Sequence, residues 1–234
     1  MAFITGTGTQ LQIGKENTFA HITTPTALIN FTSESIKVSV EKGDEGSLLG
    51  SKTAMSRDLL AITIEGSVSF ILRPEFAGLL LHATLGGADT CTQIDTSDLY
   101  THTMALCDIN EALPSLSVIV DRKAAIKCYP GCTISALSLD VAAGDYVKGS
   151  VDIKGTKEEV GTVHSGLNGF NIPSYRCTNA TFSLGGTIYD ITSASLKIDN
   201  ALESAPRTYA SGLYAAKSQH GKRSVTISFE IPYR

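Results

Sequence analysis

Tryptophan is absent from the 234 residues and aromatic side chains make up only 7%, so the chain lacks the stacking platforms that carbohydrate-binding modules favour. Charge is sparse at 18%, and 19 Lys plus Arg stand against 23 Asp plus Glu. The net charge of −4 excludes a basic surface built to grip nucleic acid. No apolar run approaches the roughly 18 residues of a membrane helix. The opening Met1-Ala2-Phe3-Ile4-Thr5 has neither the basic start nor the apolar core of a secretory signal, so the expectation is a soluble protein that stays where it is made, with no membrane binding. Cysteines are few and odd in number: Cys91, Cys107, Cys128, Cys132 and Cys177 do not form a secreted disulfide framework, and reduced thiols are the simpler reading.

Catalytic signatures are missing as well. There is no G-x-x-x-x-G-K-[ST] loop, no G-x-S-x-G elbow, no H-E-x-x-H and no C-x-x-C. His21, His82, His102, His164 and His220 are scattered, and none sits beside an evident ligand set. Cys128 and Cys132 are four apart on a segment that reads as strand, turn, strand, which favours buried structural thiols over a zinc site. Asn179-Ala180-Thr181 fits a glycosylation sequon but lacks an export signal to make it meaningful. Lys222-Arg223, with Lys217 nearby, reads as a solvated edge or an intersubunit ion pair before a strand, or as a phosphate contact. No metal or cofactor is expected.

What is present is alternation. Ser and Thr make up about a fifth of the chain, a composition suited to sheets with one wet face. In 60–72, Ile62, Ile64, Val68, Phe70 and Leu72 share one face, with Thr63, Glu65, Ser67 and Ser69 on the other. In 224–231, Val225, Ile227, Phe229 and Ile231 are expected inward, and Ser224, Thr226, Ser228 and Glu230 outward. Further strands are expected at 36–40, 116–120, 133–141, 147–153, 181–184, 187–191 and 194–199, with a tight turn at Gly185-Gly186. One helix is expected at 74–85: Pro74 opens it, Glu75 lies in its first turn, Phe76, Leu79, Leu80 and Ala83 form its stripe, and Gly86-Gly87 close it.

An internal echo suggests duplication. Thr32-Ser33-Glu34-Ser35-Ile36-Lys37-Val38 matches Thr192-Ser193-Ala194-Ser195-Leu196-Lys197-Ile198, and Val68-Ser69-Phe70 matches Ile227-Ser228-Phe229 at nearly the same offset. The reading is a single domain, 1–234, with duplicated strand-loop-strand units at about 32–72 and 192–231. The connections 41–58 and 200–222 exceed ordinary hairpin turns and mix charged with apolar residues, as loops that order against another copy would.

Several segments together resemble the major tail tube proteins of long-tailed bacteriophages. Gly14-Lys15-Glu16 with Thr18-Phe19 and Pro25 resembles that family's opening, with Phe19 where some relatives carry Trp. Thr32-Ser33-Glu34-Ser35 resembles its next segment, and Leu72-Arg73-Pro74-Glu75 through Leu85-Gly86 its L-R-P-E stretch. Tyr129-Pro130-Gly131-Cys132-Thr133, leading to 135–139 and 150–153, resembles its tyrosine-glycine-cysteine strand pair.

The resemblance implies a mainly β fold: a β-sandwich or partial barrel with one flanking helix, its sheets joining between subunits into a ring-shaped barrel. It implies six copies per ring, rings stacked into a hollow conduit for viral DNA, and no enzymatic activity. Implied partners are further copies of the chain, a tape-measure protein, and tail terminator and tip proteins; DNA passes through without specific binding. The setting is the virion tail, assembled in the host cytoplasm. With ~24 strands spaced ~4.8 Å and tilted ~40°, such a barrel has a backbone diameter of about 48 Å and a bore of roughly 38 Å. Lumen-facing candidates are Glu65, Ser67, Ser69, Thr226, Ser228 and Glu230. Inter-ring candidates are Glu41, Lys42, Asp44, Glu45, Leu48, Leu49, Lys52, Arg57 and Asp58. The alternative weighed against this is a carbohydrate- or receptor-binding β-sandwich module; an enzyme on a β-sandwich lacks paired catalytic groups.

Overall fold

The computed structural model describes residues 8–44, 57–95, 100–108, 110–167, 169, 172–203, 207, 209 and 211–232. Two β layers share a strand. The first contains β1 (Gln10–Lys15), β2 (Ala27–Ile29), β8 (Leu116–Asp121) and the start of β9 (Ile126–Ala142), with β11 (Glu159–Val160) alongside. The second runs β15 (Ser224–Glu230), β14 (Ser193–Asp199), the end of β9, β10 (Lys148–Gly155), then β5 (Arg57–Ile71). Beyond β5 lie β3 (Phe31–Glu34) and β4 (Lys37–Asp44), which pair with successive stretches of it. All these pairings are antiparallel.

β9 turns the corner between the layers at Gly131, whose φ of +72° is open to glycine and strained for other residues. A Cβ there would also stand 2.6 Å from Thr156 Oγ1. The two layers face each other across one core. Leu11, Ile13, Val118, Val120 and Tyr129 come from the first, and Ile64, Val68, Phe70, Leu137, Val151 and Ile153 from the second. All six residues of β8 are buried, which explains its nearly continuous apolar run, whereas β5 is covered on one face only and therefore alternates.

The helix α1 (Pro74–Leu85) closes one end of the sandwich. Proline in the first turn and Glu75 near the positive end of the dipole start it, and Gly86 in the left-handed region ends it. It buries Phe76, Leu80 and Ala83, and Phe76 meets Phe70 edge to face with centroids 5.3 Å apart. After it, β6 (Gly86–Gln93) and β7 (Tyr100–Leu106) form a separate antiparallel arm. A small hairpin, β12 (Ser183–Leu184) and β13 (Thr187–Ile188), turns at the expected Gly185-Gly186.

Two expectations change. The sequence reading treats 41–58 as a loop, but Glu41, Lys42 and Asp44 belong to β4 and Arg57 and Asp58 to β5, with Asp44 opposite Arg57. The hairpin is longer than its alternation signals because a bulge between Glu41 and Lys42 shifts the period. Glu45, Leu48, Leu49 and Lys52 lie outside the described residues. The second change is at β15 and the residue that follows it: Val225, Ile227, Phe229 and Ile231, expected inward, are 55%, 60%, 39% and 53% exposed.

Candidate assembly surface

Pairing registers put one side chain set on each face of the second layer. Across the strands, one face carries Lys37 and Ser39, Thr63, Glu65, Ser67 and Ser69, Lys148, Ser150, Asp152 and Lys154, Ser138 and Asp140, Ser193, Ser195, Lys197 and Asp199, and finally Ser224, Thr226, Ser228 and Glu230. This face is hydroxyl-rich, and its charges alternate in sign between strands: Lys37 stands opposite Glu65, which stands opposite Lys154, and Asp140 opposite Lys148. All six lumen-facing candidates lie on this one face. Ser193 Oγ donates to Glu230 Oε2 at 2.9 Å, locking two of the outermost strands together.

The opposite face is core in the middle and bare at the margins. Under β14 and β15 the β12–β13 hairpin gives a partial roof: Phe182 approaches Phe229 with centroids 4.9 Å apart, beside a hollow of about 560 Å³ lined by Val141, Phe182, Ile188 and Ala194. At the other margin Val40 and Leu60 are 43% and 54% exposed. The main-chain edges of β4 and β15 pair with no strand among the described residues, apart from their inner neighbours β5 and β14. Long two-faced strands with unpaired edges are templates for pairing with another chain.

Partly buried polar groups hold these margins in place. At the root of β4, Arg122 Nε and Nη2 donate to Glu34 Oε1 and Oε2 at 2.8 and 2.9 Å, and Nη2 also reaches the Ile36 carbonyl at 2.6 Å. The Glu34 hydrogen bond and charge raise the Arg122 pKa above its ordinary value, against the effect of burial. Gly66 lets Ile36 cross closely, since a Cβ on it would sit 2.4 Å from Ile36 Cα. At the root of β15, Arg223 Nε donates to Asn200 Oδ1 at 2.6 Å and Nη2 to the Leu85 carbonyl at 3.2 Å, so the guanidinium sits at the negative end of α1. Asn200, fully buried, donates to the carbonyls of Thr84 and Ile134 at 3.1 and 3.0 Å. Arg223 is thus an internal anchor, unlike the solvated edge, intersubunit pair or phosphate contact the sequence suggested. Lys217 stands over the Phe19 ring at 5.5 Å.

Glu16 ties two of the quoted motifs together. Its carboxylate accepts hydrogen bonds from Ser117 Oγ at 2.8 Å and from the Gly131 and Ala20 N–H groups, both at 2.9 Å. The Gly-Lys-Glu segment therefore braces the corner of β9. Burial pushes the Cys128 thiol up to about 11 and Cys132 well above its ordinary value, which keeps both protonated and unreactive at neutral pH. Among the described residues no three His, Cys, Asp or Glu side chains are grouped to hold a metal ion, and no helix is long and apolar enough to cross a membrane. Asn200 carried no sequence signal of its role, and for Arg223 only the helix end awaiting a cation hinted at it.

A sandwich with one hydroxyl-rich face and, among the described residues, two open margins has the features by which subunits of larger assemblies pair with further copies. The model of the phage tail tube protein family matches residues 6–234, and the chain belongs to that family. Its members are structural components of the virion. A comparison with curated proteins finds no match. Among solved structures, the chain is similar to one described as the tail of an empty GTA particle computed with helical refinement and C6 symmetry. The identity is 12% and the TM-score 0.40, covering 65% of this chain and 96% of that one.

Proposed function

We propose that this chain is the major tail tube subunit, closing into six-membered rings that stack into a hollow conduit through which viral DNA enters the host. The observation that carries the reading is the continuous hydroxyl-rich face of the second layer, spread over strands whose outer edges are open. In a closed ring this face lines the bore, with Glu65, Ser67, Ser69, Thr226, Ser228 and Glu230 turned toward passing DNA. Lysines interleaved with carboxylates present a weak field to phosphate, so DNA slides without being held. The distal end of the β4–β5 hairpin, from Glu41 to Asp58, reaches the next ring. A tape-measure protein occupies the bore during assembly in the host cytoplasm, and terminator and tip proteins cap the ends. The role is structural, with no catalytic step.

Negative-stain microscopy of the purified chain tests this: six-fold rings or tubes are expected, and a monodisperse monomer that binds a glycan would overturn it. Replacing 45–56 by a short turn is expected to lower tube yield at least tenfold while leaving the subunit's thermal midpoint within about 3 °C.

A further inference from the structure

Resting on that reading, we infer how the two margins meet: β15 of one copy adds to β4 of the next, antiparallel, with Phe229 opposite Val38 and Glu230 opposite Lys37. Five antiparallel pairings separate β4 from β15 within the sheet, so the two edge strands run in opposite directions and each copy brings six strands to the ring. Six copies then close with ~36 strands and a backbone diameter of about 72 Å, wider than the ~24-strand barrel expected from the resemblance. Traced through the registers, Glu230 is level with a point just beyond Ile71 of β5 and Lys37 with Glu65, about eight residues away, so copies related by rotation about a ring axis to which the strands are tilted by roughly 40° bring these edges together antiparallel.

The main chain decides which residues face the joint. Ser35 N–H donates to the Ser67 carbonyl at 2.9 Å, so Lys37 and Ser39, in phase with Ser35, turn their main-chain groups to β5. Val38 and Val40 turn theirs outward. On the other margin, Asn200 N–H donates to the Ser135 carbonyl at 2.8 Å, which turns the even-numbered residues of β14 to β9 and the odd-numbered ones to β15. Opposite those odd residues stand Ser224, Thr226, Ser228 and Glu230, leaving Val225, Ile227 and Phe229 to face outward. On both margins the outward main-chain groups belong to residues with apolar side chains on the same face. Pairing outward residue with outward residue makes both the apolar and the polar face continuous across the joint.

Three features fix the register. The Ile36 carbonyl already holds Arg122 at 2.6 Å, so sliding β15 by two residues to set Phe229 opposite Ile36 loses that bond or the new one. Sliding two residues the other way carries Val38 past Glu230, where β15 ends, and a further two sets Glu230 opposite Glu41 as like charges. Only the stated register aligns the start of β4 with the end of β15 and sets a carboxylate opposite a lysine. Glu230 and Lys37 then form a non-hydrogen-bonded pair, where side chains approach closest, and extend the row Lys37, Glu65, Lys154 by one more alternating charge.

Paired cysteines read the register directly. Ser39 and Ser228 fall opposite each other with Cα atoms about 4.5 Å apart, within disulfide reach. In assembled tubes of the S39C/S228C chain, mild oxidation is expected to link residues 39 and 228 of different copies, identified by the mass of the joined peptides. The S39C/T226C chain should give at least tenfold less. Independently, K37E and E230K should each lower tube yield tenfold or more, and K37E/E230K together should restore it. Tubes that form from the unmodified chain without the 39–228 link and without charge-swap rescue would overturn this joint and leave the tube reading standing. Failure of the unmodified chain to form rings or tubes would overturn both.

Discussion

The strands β5 and β15 carry the same local pattern and live in different surroundings. Val68-Ser69-Phe70 in β5 places Val68 and Phe70 at 1% exposure beneath the first layer and α1, whereas Ile227-Ser228-Phe229 in β15 leaves its apolar pair 60% and 39% exposed. Alternation specifies that a strand has two faces; it does not specify which chain supplies the cover. In β5 the cover is the same molecule. In β15 the described residues cover it only in part, through Phe182 on Phe229, and the apolar row left exposed is the surface that the proposed joint would cover.

This contrast can be broken by mutating equivalent positions. Phe70→Ala removes a fully buried ring packed on Phe76 and is expected to destabilise the subunit by about 3–5 kcal/mol in denaturant unfolding. Ile227→Ala, at an exposed site, should change the same measurement by about 0.5 kcal/mol or less while lowering tube yield severalfold. Equal effects on unfolding would show that β15 is covered within its own chain and would erase the distinction.

A smaller effect separates how the two strands are anchored. β5 is held by core contacts, and the start of β15 by Arg223 with its bonds to Asn200 and the end of α1. Arg223→Ala is expected to cost about 2–3 kcal/mol, because hydrogen bonds to a charged group are lost and Asn200 Oδ1 is left unpartnered. Hydrogen exchange sharpens the point: amides of β14 and β15 should lose protection first, while those of β5 keep theirs.

The same contrast explains how far the sequence could be read. The helix was legible because all its signals are local: Pro74, Glu75, the apolar stripe and Gly86 agree. The long strands β5, β9, β10 and β15 were legible from alternation. β1 was missed because Gln12 is buried on its second face, bonded to the main chain of His164, which hides the period of two. The β6–β7 arm was missed because it is exposed almost throughout and has no apolar face to alternate. On the surface itself, the polar set of β5 and β15 could be read residue by residue. The anchors could not, since Arg122 with Glu34, and Arg223 with Asn200, are distant in sequence and meet only after folding.

The smallest expected effect lies at the end of α1, away from both strands. Burial, then the Lys15 ammonium, lowers the His82 pKa from its ordinary 6.5, with Asp89 acting weakly the other way. Lys15 Nζ donates to His82 Nε2 at 2.8 Å, which requires a neutral ring, and Nδ1 is buried without a partner. A histidine whose folded pKa is depressed binds its proton more readily in the unfolded chain. Its contribution is therefore intact above pH 6.5 and declines as pH falls from there toward the folded value. Asp121 acts in a lower window: burial raises its pKa, the Lys123 hydrogen bonds outweigh that, and the net lowering from 3.8 means its contribution is lost only in stronger acid. Thermal midpoints of the subunit between pH 7 and pH 5 should thus fall slightly, and His82→Gln should flatten that slope while leaving the decline below pH 4 unchanged. An unaltered slope in the variant would mean that His82 titrates as it does in the unfolded chain, and that the helix end, like the face of β15, is open to solvent.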